Sequence, residues 1–328
     1  MKFVTYMLDE GTQFRFGFKK DEYIIDIIRS AIWAHENNSD LNFLEIPSTL
    51  KQALQNWNTN FAKLKELDAS LPAMNIHSHS SSGKPIAILE KEVQLLPPIP
   101  NPSTFRDFYA FEQHVRAARK LRGLDMHPDW YRLPIFYFSN PNALYGHGSE
   151  IPYPDNTKEL DFELEFAVII SNGGSSIQKG DADHYIAGYT ICNDWSARDL
   201  QREEMALSLG PAKGKDFATS FGPYMVTPDE LADAWDENGK LHLRMTCHVN
   251  DQLVSDGNTN DLYHSFPAMI ERASMNTNLV PGDYLGSGTV GTGCILELRP
   301  ENTGGWLKKG DTVKLEIEKL GILENRIK

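Results

Sequence analysis

"LDFELEFAVII", residues 160–170, sets three acids two apart, Asp161, Glu163 and Glu165, ahead of an unbroken apolar run. Strand side chains alternate with period two, so the acids share one face and Phe162, Leu164 and Phe166 the other. Two readings are open. In one, the acids face water on a half-exposed antiparallel strand. In the other, they point into a cleft and bind something positive. Ala167-Val168-Ile169-Ile170 reads as a strand end buried on both faces, which weighs a little against free solvation of the other end.

Around this stretch the chain is rich in strands. "KFVTYML", "FRFGF" and "YIIDI" read as short strands, "IRSAIWAHEN" and "TLKQALQNWNTNFAKLKEL" as helices. "NIHSHSSSGKP" reads as a surface loop, and His77 and His79 within it as loop residues rather than ligands. "VQLLPPIPNPS" carries four prolines, which fix φ and remove donors, so it is extended. The boundary is placed there: residues 1–96 as an N-terminal α+β domain, 97–103 as a proline-rich linker, 104–328 as a catalytic domain. Downstream, Asn250-Asp251 offers a tight turn between alternating runs, and Pro281-Gly282 a type II turn. Helices are expected in "FEQHVRAARKL", "SARDLQREEMALS" and "DLYHSFPAMIERA". Strands outnumber helices and few βα alternations occur, so the fold class is α+β and β-rich rather than doubly wound.

Bulk properties exclude several functions. A net charge of −13 argues against nucleic acid as a partner. No run of about 18 apolar residues occurs, so no membrane span is expected. The start "MKFVTYMLDEGTQF" reads as a first strand, not a signal peptide. Cys192, Cys247 and Cys294 lie far apart in apolar segments, so buried thiols in a reducing cytoplasm are expected, without zinc spacing.

Candidate chemistry gathers in four segments: "RDFYAFEQHVRAARKLRG", "LDFELEFAVII", "CNDWSARDLQREEM" running into "GKDFATSFGP", and "GSGTVGTGCILEL". Glu163 and Glu165 emerge on one side of a strand about 7 Å apart along the backbone, within reach of one ion. Asp194 ends the apolar strand "AGYTICN" and precedes Ser196, a candidate helix N-cap; by spacing alone Asp194 reads as a second cap. Asp107, just after the prolines, likewise reads alone as a cap or turn. Four oxygen ligands without paired Cys or His would select magnesium, calcium or manganese.

The segments "DFYAFEQH", "DFELEFAV", "NDWSARDLQ", "GKDFATSFGP", "PGDYLGSGT" and "KGDTVKLEIEKLGILENRI" together resemble the fumarylacetoacetate hydrolase family over about two thirds of the chain, in the family's order. The resemblance implies a mixed β-sandwich/β-roll catalytic domain with a small N-terminal α+β domain. It implies metal ligation by Asp107, Glu163, Glu165 and Asp194, with Mg2+ or Ca2+, or Mn2+, as the ion. His114 falls at the general base, seven residues after Asp107. The near-His glutamate of small acylpyruvase-like members is absent, since Ala117 stands there. Glu297, on a late strand in "CILELR", matches the partner used in fumarylacetoacetase. Arg198, Gln201 and Lys215 match oxyanion-stabilising residues, and Lys215 and Thr219 neighbours of the metal site. Tyr109, Arg122, Tyr137 and Thr289 match substrate-binding positions. Met205 stands where fumarylacetoacetase has a tyrosine, and Ala218 replaces a glycine. Asp161 shares the face of the glutamates but receives no role, and stands as a solvated acid.

The function implied is metal-dependent hydrolysis of a carbon–carbon bond in a β-diketo acid such as fumarylacetoacetate or an acylpyruvate, in aromatic amino-acid (tyrosine) catabolism. The alternatives are an oxo-acid decarboxylase, hydratase or isomerase on the same metal–enolate platform, and, from another class, a non-catalytic member. A small anionic oxo-acid substrate and a cytoplasmic homodimer accompany this expectation.

Overall fold

The protein is described by a computed structural model covering residues 1–8 and 13–328. The strand expected in "MKFVTYMLDEGTQF" spans Lys2–Met7; residues 9–12 of that stretch lie outside the described residues. A twelve-stranded sheet organises the chain. Its path runs Ala87–Leu89, Tyr23–Asp26, Arg15–Lys20, Lys2–Met7, Thr219–Val226, Ile186–Asp194, Leu164–Ile170, Tyr284–Gly286, Phe105–Phe108, Phe136–Ser139. Two short strands join its flanks: Gln94–Leu96 beside Lys2–Met7, and Leu144–Tyr145 beside Thr219–Val226. Lys2–Met7 thus pairs with strands from both sides of the proline segment, and the sheet runs unbroken past it.

Both faces of this sheet are covered. Leu164, Phe166, Val168 and Ile170 pack in one core with Met245, Val313, Leu315 and Ile317 of a second, five-stranded sheet. Ala167 and Ile169, on the opposite face, belong to a second core that contains Leu50, Leu54, Trp57 and Leu64 of the N-terminal helices. A strand between two cores has no wet face, which is why Leu164–Ile170 is buried at every position. Each large apolar side chain enclosed this way contributes about 1.5–3 kcal/mol.

Most local expectations hold. Asn250 and Asp251 both have positive φ (49° and 66°) in the hairpin joining Arg244–Val249 to Gln252–Asn258. Gly282 takes φ +87°, and the Asp283 N–H donates to the Val280 carbonyl at 3.1 Å, closing the expected turn. His77 stacks on Tyr23 and His79 meets Trp33 edge-on, so the serine-rich loop is pinned by aromatic contacts. The long helix expected over "TLKQALQNWNTNFAKLKEL" is two helices, Leu50–Leu54 and Trp57–Ser70, because Asn56 between them leaves helical geometry at φ −139°, ψ 57°.

Three expectations are corrected. Ser196 is not a helix cap: it pairs with Asp161 in a two-residue strand, and its hydroxyl donates to the Asp194 carbonyl. The helix begins at Arg198 behind Ala197, without a side-chain cap. "CILELR" holds a helical turn, Ile295–Leu298, rather than a strand. Asp161 is not solvated; it is 0% exposed. No helix among the described residues is long and apolar enough to cross a membrane.

Candidate metal centre and acid–base dyad

Four strand ends bring the centre together. Glu165 lies in the Leu164–Ile170 strand, with Glu163 just before it. Asp194 ends the antiparallel neighbour Ile186–Asp194, whose Asn193 is in register with Leu164. Asp107 sits in Phe105–Phe108, paired with Gly286 of Tyr284–Gly286. One carboxylate oxygen from each of Asp107, Glu163, Glu165 and Asp194 lies within 4.8 Å of the others, and all four residues are buried. Glycine is required beside them. A Cβ on Gly286 would stand 2.3 Å from Asp107 Oδ1, and one on Gly288, at φ +75°, 2.4 Å from the Phe108 carbonyl oxygen.

Electrostatics decide what such a cluster can hold. Burial pushes the Asp107 and Glu165 carboxyls well above their ordinary values, and the neighbouring acids push them further. Glu165 Oε2 is buried with no hydrogen-bond partner. Converging carboxylates with an orphaned oxygen form an all-oxygen donor set that suits a hard divalent cation, so the residues fit the ion the resemblance implies.

Two buried cations compensate part of the charge. Lys215 Nζ donates to Glu163 Oε2 and Asp194 Oδ2, both at 2.6 Å. Arg198 donates to Glu163 Oε1 and Asp161 Oδ2, each at 2.8 Å, and to Gln201 Oε1 at 3.0 Å. Burial alone would raise the Glu163 carboxyl, but Lys215 and Arg198 outweigh it and hold it far below the carboxylate range. Burial would also lower the Lys215 ammonium, yet Asp194 and Glu163 hold it above its usual value. Both cations remain charged.

Beside the cluster lies the dyad. His114 Nδ1 is 3.0 Å from Glu297 Oε2, and the two side chains are 7% and 8% exposed. His114 projects from the helix Glu112–Leu121, on its buried face with Val115. That helix carries Glu112 in its first turn and Arg119 and Lys120 in its last, as its dipole favours. His114 lies near enough to Glu163 for any charge on its ring to be felt there, which puts dyad and cluster in one electrostatic neighbourhood. Tyr109 meets the His114 ring edge-on at 5.5 Å. Burial pushes its hydroxyl up to about 12, so it stays a protonated donor at neutral pH.

The remaining candidates divide. Thr289 Oγ1 reaches Glu165 Oε1 and Thr219 Oγ1 reaches Asp194 Oδ1, each at 3.4 Å. Tyr137 donates its hydroxyl to Asp194 Oδ2. Its hydroxyl is thus engaged by a cluster carboxylate. Arg198 is likewise engaged with carboxylates, and Gln201 with Arg198. Arg122 is exposed near the end of the His114 helix, and Tyr109 feels its charge. Met205 is exposed and Ala218 buried.

Sequence reasoning missed three residues. Asn193 Oδ1 accepts the Glu163 N–H at 3.0 Å. Trp195 is wholly buried with its indole N–H on Ser220 Oγ at 2.8 Å. A polar Asn closing an apolar strand signals a buried partner to be found. Asp161 is the third: its carboxylate accepts the Ile295 N–H at 2.7 Å and the Leu296 N–H at 3.0 Å, besides Arg198.

Fold and site define a β-rich α+β protein with a buried cluster of four carboxylates able to hold a divalent cation and an adjacent His–Glu pair. The chain belongs to the fumarylacetoacetate hydrolase family: the family model "Fumarylacetoacetate (FAA) hydrolase C-terminal" matches residues 103–328. It is 30% identical over 300 residues to oxaloacetate tautomerase Fahd2a, mitochondrial, of Rattus norvegicus, covering 88% of this chain and 83% of that one. It is 32% identical over 194 residues to oxaloacetate tautomerase FAHD2A, mitochondrial, of Homo sapiens, a match that spans only 59% of each chain. Among solved structures, the fumarylacetoacetate hydrolase of psychrophilic Exiguobacterium antarcticum has a TM-score of 0.70 at 22% identity, covering 100% of this chain and 99% of that one. Maleylpyruvate hydrolase from Sphingobium sp. SYK-6, in complex with manganese(II) ion and pyruvate, has a TM-score of 0.68 at 21% identity, covering 100% and 98%. At these identities the structural likeness concerns the fold.

Proposed function

We propose that this protein is a divalent-cation-dependent enzyme that moves a proton at the carbon beside a carbonyl of a small anionic 2-oxo acid, with keto–enol tautomerisation of oxaloacetate as its reaction. The observation that carries this is the largely enclosed His114–Glu297 pair, 3.0 Å apart, next to the four-carboxylate cluster. The names of the rat and human relatives point the same way.

Asp107, Glu163, Glu165 and Asp194 would hold the ion, with Mg2+, Mn2+ or Ca2+ suited to all-oxygen ligation. A bound dication supplies Lewis-acid polarisation of a carbonyl and compensates the charge of an enolate. Glu297 accepts the Nδ1–H of His114, which leaves Nε2 as the basic nitrogen and steadies the imidazolium once it takes a proton. His114 then returns that proton to the other end of the enol system. With the four ligand carboxylates and Asp161 all ionised against Lys215 and Arg198, the centre would carry three surplus negative charges, which a bound dication would reduce to one. That reduction admits an anionic substrate. The Tyr109 ring meets the imidazole edge-on, and Arg122 would take a distal carboxylate of the substrate.

A second reading is hydrolysis of a carbon–carbon bond in a β-diketo acid, with His114 taking its proton from water. The same His–Glu pair favours it, because an oriented imidazole serves water as well as a C–H group.

The deciding experiment follows the ultraviolet absorbance of enolic oxaloacetate, fumarylacetoacetate and an acylpyruvate with Mn2+-loaded protein. Accelerated oxaloacetate ketonisation, reduced at least about 100-fold in His114→Ala at unchanged manganese content, is expected. Cleavage of the diketo acids without ketonisation would replace the first reading with the second. No turnover of any of the three would refute both.

A further inference from the structure

We infer that Asp161 is a positioning residue shared by both halves of the centre, tying the metal-side carboxylate Glu163 and the dyad carboxylate Glu297 to one buried anchor. It rests on the reading above of His114–Glu297 as the acid–base pair and of Glu163 as a ligand. Asp161 is 0% exposed and makes three close contacts. Oδ1 accepts the Ile295 N–H at 2.7 Å; Oδ2 accepts the Leu296 N–H at 3.0 Å and Arg198 Nε at 2.8 Å.

Two arms leave this carboxylate. One passes through the Arg198 fork, whose second nitrogen holds Glu163 Oε1 at 2.8 Å. The guanidinium is planar and rigid, so fixing its Nε edge on Asp161 fixes the edge that grips Glu163. The other arm holds the first two N–H groups of the helical turn Ile295–Leu298, which has no cap of its own from Cys294. Glu297 belongs to that turn and reaches His114. Only a carboxylate meets all three donors, because both its oxygens accept and neither donates. An asparagine keeps the shape but turns an N–H2 toward a donor, whichever way the amide sits.

A residue needed only for folding would lower stability and leave metal affinity and turnover number alone once the protein is folded. The test is therefore Asp161→Asn, compared with wild type by Mn2+ affinity from electron paramagnetic resonance, by kcat and KM at saturating Mn2+, and by the pH–rate profile. Mn2+ affinity falls by about 10–100-fold, the usual consequence of losing a partner behind a ligand. At saturating Mn2+, kcat falls while KM stays within about threefold, and the acid limb of the profile moves because Glu297 no longer fixes His114.

A folded Asp161→Asn with both Mn2+ affinity and kcat within about threefold of wild type would overturn the inference. So would weakened Mn2+ binding with kcat and profile intact at saturation, since the dyad arm would then be absent. If Asp161→Asn does not fold, Arg198→Lys tests the first arm by the same resonance measurement, because lysine keeps the charge but not the two-sided fork. About tenfold weaker Mn2+ binding supports the anchor, and unchanged binding overturns it. Mn2+ affinity needs no substrate, so a wild type without turnover would sink the functional reading while the anchor is still judged on affinity.

Discussion

Lys215→Met isolates the charge balance of the centre. Lys215 Nζ lies 2.6 Å from both Glu163 Oε2 and Asp194 Oδ2, and all three groups are buried. At an effective dielectric near 20, each contact represents roughly 6 kcal/mol of gross attraction, most of it offset by desolvation of the partners. What remains visible when one member of a buried pair is removed is about 3–5 kcal/mol, the cost of leaving carboxylates buried without a counter-charge. Methionine keeps most of the volume, so the loss reports charge rather than a cavity. With about 2.1 cal/mol/K per residue at the midpoint, 328 residues give roughly 0.7 kcal/mol/K, so the metal-depleted variant melts about 4–7 °C below wild type. Saturating Mn2+ shrinks the gap, because the ion supplies the charge Lys215 supplied and meets no ammonium competing for Glu163 and Asp194. Differential scanning calorimetry on dialysed protein, with and without Mn2+, reads both effects. A metal-depleted variant within about 1 °C of wild type, or a gap that Mn2+ leaves unchanged, would refute the reasoning.

Mn2+ binding is also proton-linked. Burial and the adjacent acids raise the folded-state Asp107 and Glu165 carboxyls, so the metal-depleted fold binds more protons than the unfolded chain. Its stability therefore falls as pH rises above the ordinary carboxylate range, Mn2+ affinity rises over the same range, and binding releases protons. Calorimetric titration in two buffers of different ionisation enthalpy gives different heats; equal heats rule the linkage out. Cys192, Cys247 and Cys294 are buried, and burial, then nearby acids, push all three thiols well above their ordinary values. A disulfide reagent at mildly alkaline pH labels none of them in the native protein and all three in denaturant; a thiol that reacts in the native state contradicts this.

What could be read in advance follows from the range of each interaction. Period-two alternation put Glu163 and Glu165 on one face, and the turn chemistry of Asn250-Asp251 and Pro281-Gly282 is local, so each was legible. The partners of those side chains were not. Asp161 has the same parity as the glutamates, and alternation cannot separate an acid facing water from one enclosed by Arg198 and two backbone N–H groups. Arg198 and Gln201 share a helix face, as their spacing implies, but the carboxylates that occupy the guanidinium lie 37 and 35 residues away. Resemblance points to Glu297 but not to its conformation, a helical turn rather than a strand. "CILEL" alternates weakly enough to suit a strand, and a helical turn formed where Asp161 capped its first two N–H groups.

By itself the sequence determined the β-rich class, the face on which the strand acids stand, and the candidate set of ligands and base. Those depend on side-chain type and spacing along a few residues. Only the tertiary structure decided that Lys2–Met7 joins strands from both sides of the proline segment, that five carboxylates meet two cations, and that His114 meets Glu297 across 183 residues. Such contacts are set by which strands pair and in what register. Pairing is decided by burying both faces of the sheet at once, a condition no single segment contains.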